Sequence, residues 1–393
     1  MSAAIFIGFF CACFLLLIAW GIKHRWDTTE DTPDVSIMVC ARDEEKHIFN
    51  CLMSIAGQSY PQSKMHLILV NHMSTDRTGE IMETFADGMD IRTTVLHVTE
   101  PDDELVGKAQ ALEAGMQVVD TEIVLHTDAD VFVPESWVGS MVSRFTEHVV
   151  AVGGMVDTVE YGDDPRWITR LQHVDHRFFL GSLAGLTGLA AKLDNNGKNP
   201  RAPLAWLRPA FRPAFCSGNN MGFRTSAYKL VGGYRAIAPS LIEDFAMVNR
   251  MVHRTKKHLA VHAGRDACIQ TIPQNNIYGL LRQKQRWATA TWSFNPVHYF
   301  SYLVVFSTRV LLFWWMVADP LAGGPAFLMT TLASMTIVRT VGGGMTNPLL
   351  LRELLVHEVY QWWLNHWLIV TLTLRKSVRW KGQDYKISEL KSS

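Results

Sequence analysis

This 393-residue chain carries no net charge, since 37 Lys and Arg balance 37 Asp and Glu. Bulk electrostatics therefore give it nothing with which to attract a nucleic acid. Charged residues are scarce altogether, at 19% against the quarter usual in soluble domains. Cysteine is sparse and poorly spaced. Cys11 and Cys13 lie inside an apolar run, Cys40, Cys51, Cys216 and Cys268 are scattered, and no CxxC pair occurs. That pattern argues against a zinc site or a disulfide framework and fits a reducing compartment. What the chain does have is 48% hydrophobic residues, with 13 Trp and 17 Met. This is the mixture expected of a soluble domain joined to lipid-embedded segments.

Ala3 to Ile22 is apolar, free of charge and long enough to span a bilayer. Lys23-His24-Arg25 follows it and predicts a cytoplasmic location for this end. A cleaved signal peptide would carry its basic residues before the apolar run. Residues 1–26 are therefore expected to form a membrane anchor, with the domain behind it in the cytosol. Near the other end, the runs 299–317 and 321–338 are split by Asp319-Pro320 and predict a helical hairpin. Arg309 inside the first run must snorkel or face protein. The run 353–374 contains Glu353, His357, Glu358 and His366, and a basic stretch from Arg375 to Lys381 follows. A full span there would put that basic tail outside, so a re-entrant or interfacial segment is expected.

Between these ends the chain alternates. An acidic linker, 27–34, leads to a strand at 35–40, a helix at about 46–58, a strand at 66–70 and a helix at 79–86. A strand at 93–98, a helix opening at Gly107-Lys108 and a strand at 122–126 follow. Short loops in this rhythm predict an α/β fold with a mainly parallel sheet. The strand at 122–126 runs into Asp128-Ala-Asp130. Ligands of open α/β sheets bind at the carboxyl ends of strands. Two carboxylates there can hold a divalent cation and, through it, a diphosphate. The competing explanation is a solvated turn, because Asp is common after strands.

Other stretches carry candidate chemistry. Lys108 at a helix start suits an anion, although an exposed lysine would look the same. Glu243-Asp244 opens a helix, where acidic residues also serve as caps. On a helix from Ile277 to about Trp292, the residues Gln283, Arg286 and Trp287 share one face. Arg286 can grip a diphosphate in bidentate fashion, and Trp287 offers a flat wall to a sugar ring, although taken alone a Trp and an Arg beside a membrane are more often interfacial anchors. Phe178 to Ala191 is apolar but about half a membrane span, so a buried or interfacial helix near the acceptor entrance is expected, not a transmembrane one. His173 and His176 lack a third metal partner, which favours packing or surface roles.

The ordered series Ala41-Arg-Asp-Glu-Glu45, Ser74-Thr-Asp76, Gly107-Lys108, Asp128-Ala-Asp130, Glu243-Asp244 and Gln283-x-x-Arg286-Trp287 resembles that of membrane-bound family 2 glycosyltransferases. These have a GT-A (Rossmann-like) fold. The group includes ceramide glucosyltransferase, cellulose and hyaluronan synthases, and bacterial carotenoid and hopanoid glycosyltransferases. The resemblance covers roughly residues 35 to 290 and implies an inverting enzyme that uses a UDP-sugar. It assigns Arg42, Glu44 and Asp76 to the uridine and ribose, Lys108 to the diphosphate, and Asp130 to Mg²⁺ or Mn²⁺, with Asp128 on the ribose or metal shell. Asp244 becomes the general base with Glu243 beside it, and Gln283, Arg286 and Trp287 complete the site. Asp76 can also cap its helix. Where the family usually has Asp before the Ser-x-Asp, this chain has Asn71 and His72.

The domain plan that follows is an anchor at 1–26, a cytosolic GT-A domain at 27–276, an interfacial helix at 277–298 and C-terminal membrane helices with a basic tail at 299–393. The expected partners are a UDP-sugar with glucose as the first choice, a lipid acceptor and the membrane, and no nucleic acid. Polysaccharide synthesis, transfer to a polyprenyl phosphate and a non-enzymatic scaffold are the alternatives. With Leu241-Ile242 in place of a TED-type triplet before Asp244, the lipid enzyme is favoured over the polymer synthase.

Overall fold

The computed structural model describes residues 3–105, 107–158, 167–199, 201–204, 217–237, 242–290, 296–342, 351–374, 377–380 and 383–386, by backbone alone at 289–290, 296–303, 306, 342, 372–374, 377–380 and 383–386. Cys216, Leu241, Arg375, Lys376 and Lys381 lie outside the described residues.

Helix α1 (Ala3–Ile22) precedes β1 (Val35–Ala41), α2 (Ile48–Ala56), β2 (Met65–His72), α3 (Thr78–Gly88), β3 (Arg92–Val98), α4 (Lys108–Met116) and β4 (Ile123–Asp128). The chain continues through β5 (Val131–Phe132), α5 (Trp137–Val142), β6 (Val149–Gly154), β7 (Val156–Thr158) and α6 (Trp167–Leu193). Next come β8 (Asn220–Arg224), α7 (Thr225–Val231), α8 (Glu243–Thr255), β9 (His258–His262), β10 (Ile269–Thr271) and α9 (Ile277–Ala290). The last elements are α10 (Pro296–Ala318), α11 (Pro320–Gly342), α12 (Leu351–Leu374), β11 (Ser377–Trp380) and β12 (Gln383–Lys386).

Among the described residues seven strands form the central sheet, in the order β3-β2-β1-β4-β8-β6-β9. Strands β3, β2, β1 and β4 are mutually parallel, as the alternating sequence predicts. Strand β8 departs from that expectation, running antiparallel to both β4 and β6, while β6 and β9 are parallel. The sheet is covered on both faces, which is why β1 and β2 are apolar almost throughout. Ile37, Leu67 and Leu125 point into one core with residues of α2, α3 and α5. Met38, Ile68 and Val124 point into the other with residues of α4, α7 and α8. A small second sheet, β5-β10-β7, stands beside the end of β4.

Among the described residues two helices are long and apolar enough to cross a bilayer, α1 and the stretch Pro320–Val341 of α11. They pack on each other and on α6. The α1–α6 crossing is close: a methyl on Gly185 would strike the backbone oxygen of Ile18, and one on Gly188 that of Gly21. Small residues of this kind let helix backbones meet in an apolar setting. The hairpin expected before residue 338 forms as α10 and α11. Arg309 of α10 faces protein, donating to Glu358 of α12 at 2.9 Å and to the Ser334 hydroxyl of α11. Helix α6 is longer than its apolar half predicts, because the polar residues 172–177 are buried with the rest.

Candidate active site

The carboxyl ends of β1, β2 and β4 open onto a cavity of about 490 Å³ that brings together most of the predicted residues. Arg42, Glu44, Lys108, Asp128, Asp130, Glu243, Asp244, Gln283, Arg286 and Trp287 all line it.

Asp128 is the last residue of β4, and Asp130 stands in the turn before β5. Two tethers hold this turn. The Cys51 thiol donates to the Asp128 carbonyl at 3.3 Å, and the Ile272 N–H donates to the Asp130 carbonyl at 3.3 Å. Gly107, at φ 67°, turns the chain so that α4 starts with Lys108 facing the aspartates. The Lys108 ammonium pairs with Asp128. Burial alone would lower its pKa, but the carboxylates of Asp128 and Glu243 outweigh burial and hold it above the ordinary lysine value. Lys108 therefore links the strand-end carboxylate to the start of α8.

Asp130 has no such cation. Burial, then the nearby charges of Asp128 and Glu44, push its carboxyl up to about 7. A divalent cation would relieve that crowding. Among the described residues no cluster of three metal-ligating side chains occurs. That fits a hard cation held by one or two carboxylates and completed by substrate phosphates and water, so the donor set suits Mg²⁺ or Mn²⁺.

The second carboxylate pair begins α8. Burial and then Asp244 push Glu243 up to about 7. Burial also raises Asp244, opposed by Lys108, Arg286 and backbone N–H groups. Its Oδ1 accepts the Phe245 N–H at 2.7 Å. The Gly218 backbone lies against its carboxylate so closely that a methyl on Gly218 would come within 2.6 Å of Oδ2. Asp244 thus caps its helix and faces the cavity together. The Gly218-Asn219 turn is itself fixed. The Thr127 hydroxyl donates to the Asn219 carbonyl at 2.8 Å, and the buried Asn220 amide donates to the carbonyls of Met155 at 2.7 Å and Ala267 at 2.8 Å.

Gln283, Arg286 and Trp287 reach the cavity from one face of α9, as their spacing predicts. Trp287 stacks on Phe179 of α6 with ring centroids 5.4 Å apart and planes 16° apart. Lys284, one residue after Gln283, forms a buried pair with Asp175 of α6, its ammonium 4.1 Å from the Trp287 ring centroid.

The structure separates the residues of the first two turns. Arg42 and Glu44 line the cavity, but Asp76 and Asn71 do not. Asp76 is consumed by the loops themselves, accepting the Thr78 N–H at 3.0 Å and the Glu45 N–H at 3.1 Å. It holds the Arg42–Glu45 loop in place, in keeping with its capping alternative. Asn71 donates to the His97 ring at 3.0 Å. His72 instead reaches the cavity, with its Nε2–H donating to Gln110 at 3.1 Å.

Beyond placing the 178–191 helix near the acceptor entrance, sequence reasoning did not name the far wall, made by Gln172, His176, Phe179 and Leu180 of α6 and by Thr271, Ile272 and Gln274 at and after the end of β10. No motif marks them. Only the 7- or 8-residue recurrence of Gln172, Phe179 and Leu180, with His176 between, hints at one helical face.

The family model described as glycosyltransferase like family 2 matches residues 33–290. The chain belongs to this family. The probable glycosyltransferase YdaM of Bacillus subtilis (strain 168) is 31% identical over 126 residues, covering 30% of this chain and 30% of that protein. Poly-beta-1,6-N-acetyl-D-glucosamine synthase of Staphylococcus epidermidis is 23% identical over 254 residues, 65% of this chain and 53% of that protein. The chain thus spans about a third to a half of the length of these curated relatives. Among solved structures, the mannosyltransferase PcManGT from Pyrobaculum calidifontis, in complex with GDP-Man and Mn²⁺, shares the fold. Its TM-score is 0.59 at 17% identity, over 94% of this chain and 96% of that one. The family and the mixed sheet agree with the GT-A glycosyltransferase expected from the motif series.

Proposed function

We propose that this glycosyltransferase moves a sugar, glucose in the first instance, from a UDP-sugar to a hydroxyl of a membrane lipid, with inversion, at the cytoplasmic face of a membrane. The observation that carries the reading is a single cavity shared by the Lys108–Asp128–Asp130 cluster, the Glu243–Asp244 pair and the Gln283, Arg286 and Trp287 face.

The nucleotide would lie over the strand ends by Arg42 and Glu44, with its diphosphate towards Lys108 and Arg286. Asp130, with Asp128, would hold Mg²⁺ or Mn²⁺, which when bound neutralises charge on the diphosphate. Asp244 takes the proton of the acceptor hydroxyl as its oxygen bonds to the anomeric carbon. The bond from that carbon to the diphosphate breaks, and the nucleoside diphosphate leaves. Arg286 supports the departing charge. The acceptor would lie between Asp244 and the Trp287–Phe179 stack. Helix α6 supports a lipid acceptor, because it carries that stack and also packs against α1 and α11.

Two observations give other readings a specific hold. The resemblance to a polysaccharide synthase favours a growing glycan as acceptor. His72, where the family usually has Asp, leaves the base to be tested. Full-length protein would be supplied with UDP-glucose or GDP-mannose, Mg²⁺ or Mn²⁺, and total membrane lipid, and the products analysed by mass spectrometry. A lipid-extractable hexoside formed from UDP-glucose is expected. A polymer insoluble in organic solvent, or transfer from GDP-mannose alone, would overturn the acceptor or the donor respectively.

A further inference from the structure

We propose that His176, with Gln283 on the same cavity, forms the subsite that binds the uncharged, hydroxyl-bearing head group of the acceptor lipid. This rests on the function proposed above and names a residue outside the motif series.

His176 is 6% exposed and faces the catalytic cavity. Neither of its ring nitrogens has a hydrogen-bond partner in the protein. The buried Oε1 of Gln283, on the same cavity, is likewise without one. Of their polar neighbours, Gln172 is hydrogen-bonded, and His173 and Asp175 lie in ion-pair contacts. The Gln172 side chain donates to the carbonyls of Ile168 at 3.1 Å and Gln274 at 3.0 Å and accepts the Gln274 N–H at 2.8 Å. His173 pairs with Asp157, and Asp175 with Lys284 and, at 2.5 Å, with the Gln361 amide. A buried polar group left without a partner is costly, and two lining the cavity that also holds Glu243 and Asp244 are suited to a ligand.

The chemistry of that ligand follows from the wall. Burial and then the Lys284 charge hold the His176 ring down at about 4, so at neutral pH it is uncharged, with one donor and one acceptor nitrogen. Gln283 adds an acceptor oxygen. A hydroxyl both donates and accepts, and so matches them, whereas a phosphate offers only acceptors to Gln283 Oε1. The surroundings are apolar: Val156, Phe179, Leu180 and Trp287 line the cavity there, and the Trp287 ring lies 5.8 Å from His176. About one to two and a half turns further along α6, Gly181 and Gly185 pack on α11 and α1, helices apolar enough for a bilayer. A lipid chain running along α6 would bring its head group to His176 while its hydroxyl reaches Asp244.

The test uses full-length protein in detergent, UDP-glucose as donor, and 1,2-dioctanoylglycerol and N-octanoylsphingosine as acceptors. His176→Phe keeps a flat ring beside Trp287 and removes both hydrogen-bonding nitrogens. It is expected to raise the acceptor KM at least tenfold while UDP binding, measured by titration calorimetry, stays within twofold. His176→Gln restores a donor and an acceptor and should recover most of the loss. An unchanged acceptor KM in His176→Phe, or equal weakening of UDP and acceptor in both variants, overturns the subsite. If wild-type protein binds UDP yet glycosylates neither lipid, the lipid reading itself falls, a failure distinct from that of the subsite.

Discussion

At the scale of single residues, the site holds two carboxylate pairs whose surroundings set them different tasks. Asp128 is balanced by Lys108, Asp130 is not, and Glu243 and Asp244 share one buried corner. With Asp244 as the base, Asp244→Asn should lower kcat by about 10²–10⁴-fold and leave UDP affinity, measured by calorimetry, within a few-fold. Activity near the wild-type level in that variant would remove Asp244 from the role. The pH dependence has a definite sign. A base works only when deprotonated, and burial raises both acids of the pair, with Glu243 at about 7. Activity should therefore rise with pH and level off near or above neutrality, as a property of the coupled pair. A rise completed below pH 5, in the ordinary carboxylate range, would count against this. These residues were legible as types and positions in the sequence. What was not legible is which way each side chain turns. Asp76 and Asn71 sit beside Arg42 and Glu44 in the folded loops, yet backbone N–H groups and the His97 ring claim them first.

Among the elements, α9 is where spacing predicted most. Residues three and four apart share a helix face, so Gln283, Arg286 and Trp287 were expected together and line the cavity together. The position after Gln283 was silent in the sequence. Lys284 there is 6% exposed and paired with Asp175, which in turn accepts from Gln361 of α12. This cluster ties α9 to α6 and α12. Removing one partner of a buried ion pair leaves the other uncompensated, at a cost of about 3–5 kcal/mol. Asp175→Ala is thus predicted to destabilise the protein by about that amount in denaturant unfolding in detergent, and to weaken catalysis through a displaced Trp287. Replacing the pair together, as Asp175→Leu with Lys284→Met, should recover part of the loss. Equal instability of the single and double variants would show that the charges do not act as a pair. The same cluster explains the length of α6. Its polar half reads as surface in isolation, and is buried because its partners arrive from other segments, Asp157 of β7 just before it and Gln274, Lys284 and Gln361 far along the chain.

For the molecule as a whole, the catalytic sheet and the apolar helices meet on α6, which lines the cavity with one face and packs on α1 and α11 with another. The full chain is expected to stay with membranes through an alkaline carbonate wash and to need detergent for release. Release by the wash would show that α1 and α11 serve only as core helices. The sequence by itself determined the parallel half of the sheet, the strand-end placement of Asp128 and Asp130, the order of the motifs and hence the family. These follow from local rules: apolar runs make buried strands, polar turns close them, and motif spacing survives along the chain. The tertiary structure alone decided the antiparallel course of β8, the burial of His173, Asp175 and His176, the sequestering of Asp76, and the far wall of the cavity. Each depends on pairing between segments distant in sequence, where a side chain's partner, and so its charge, exposure and direction, is chosen by packing instead of by its neighbours along the chain.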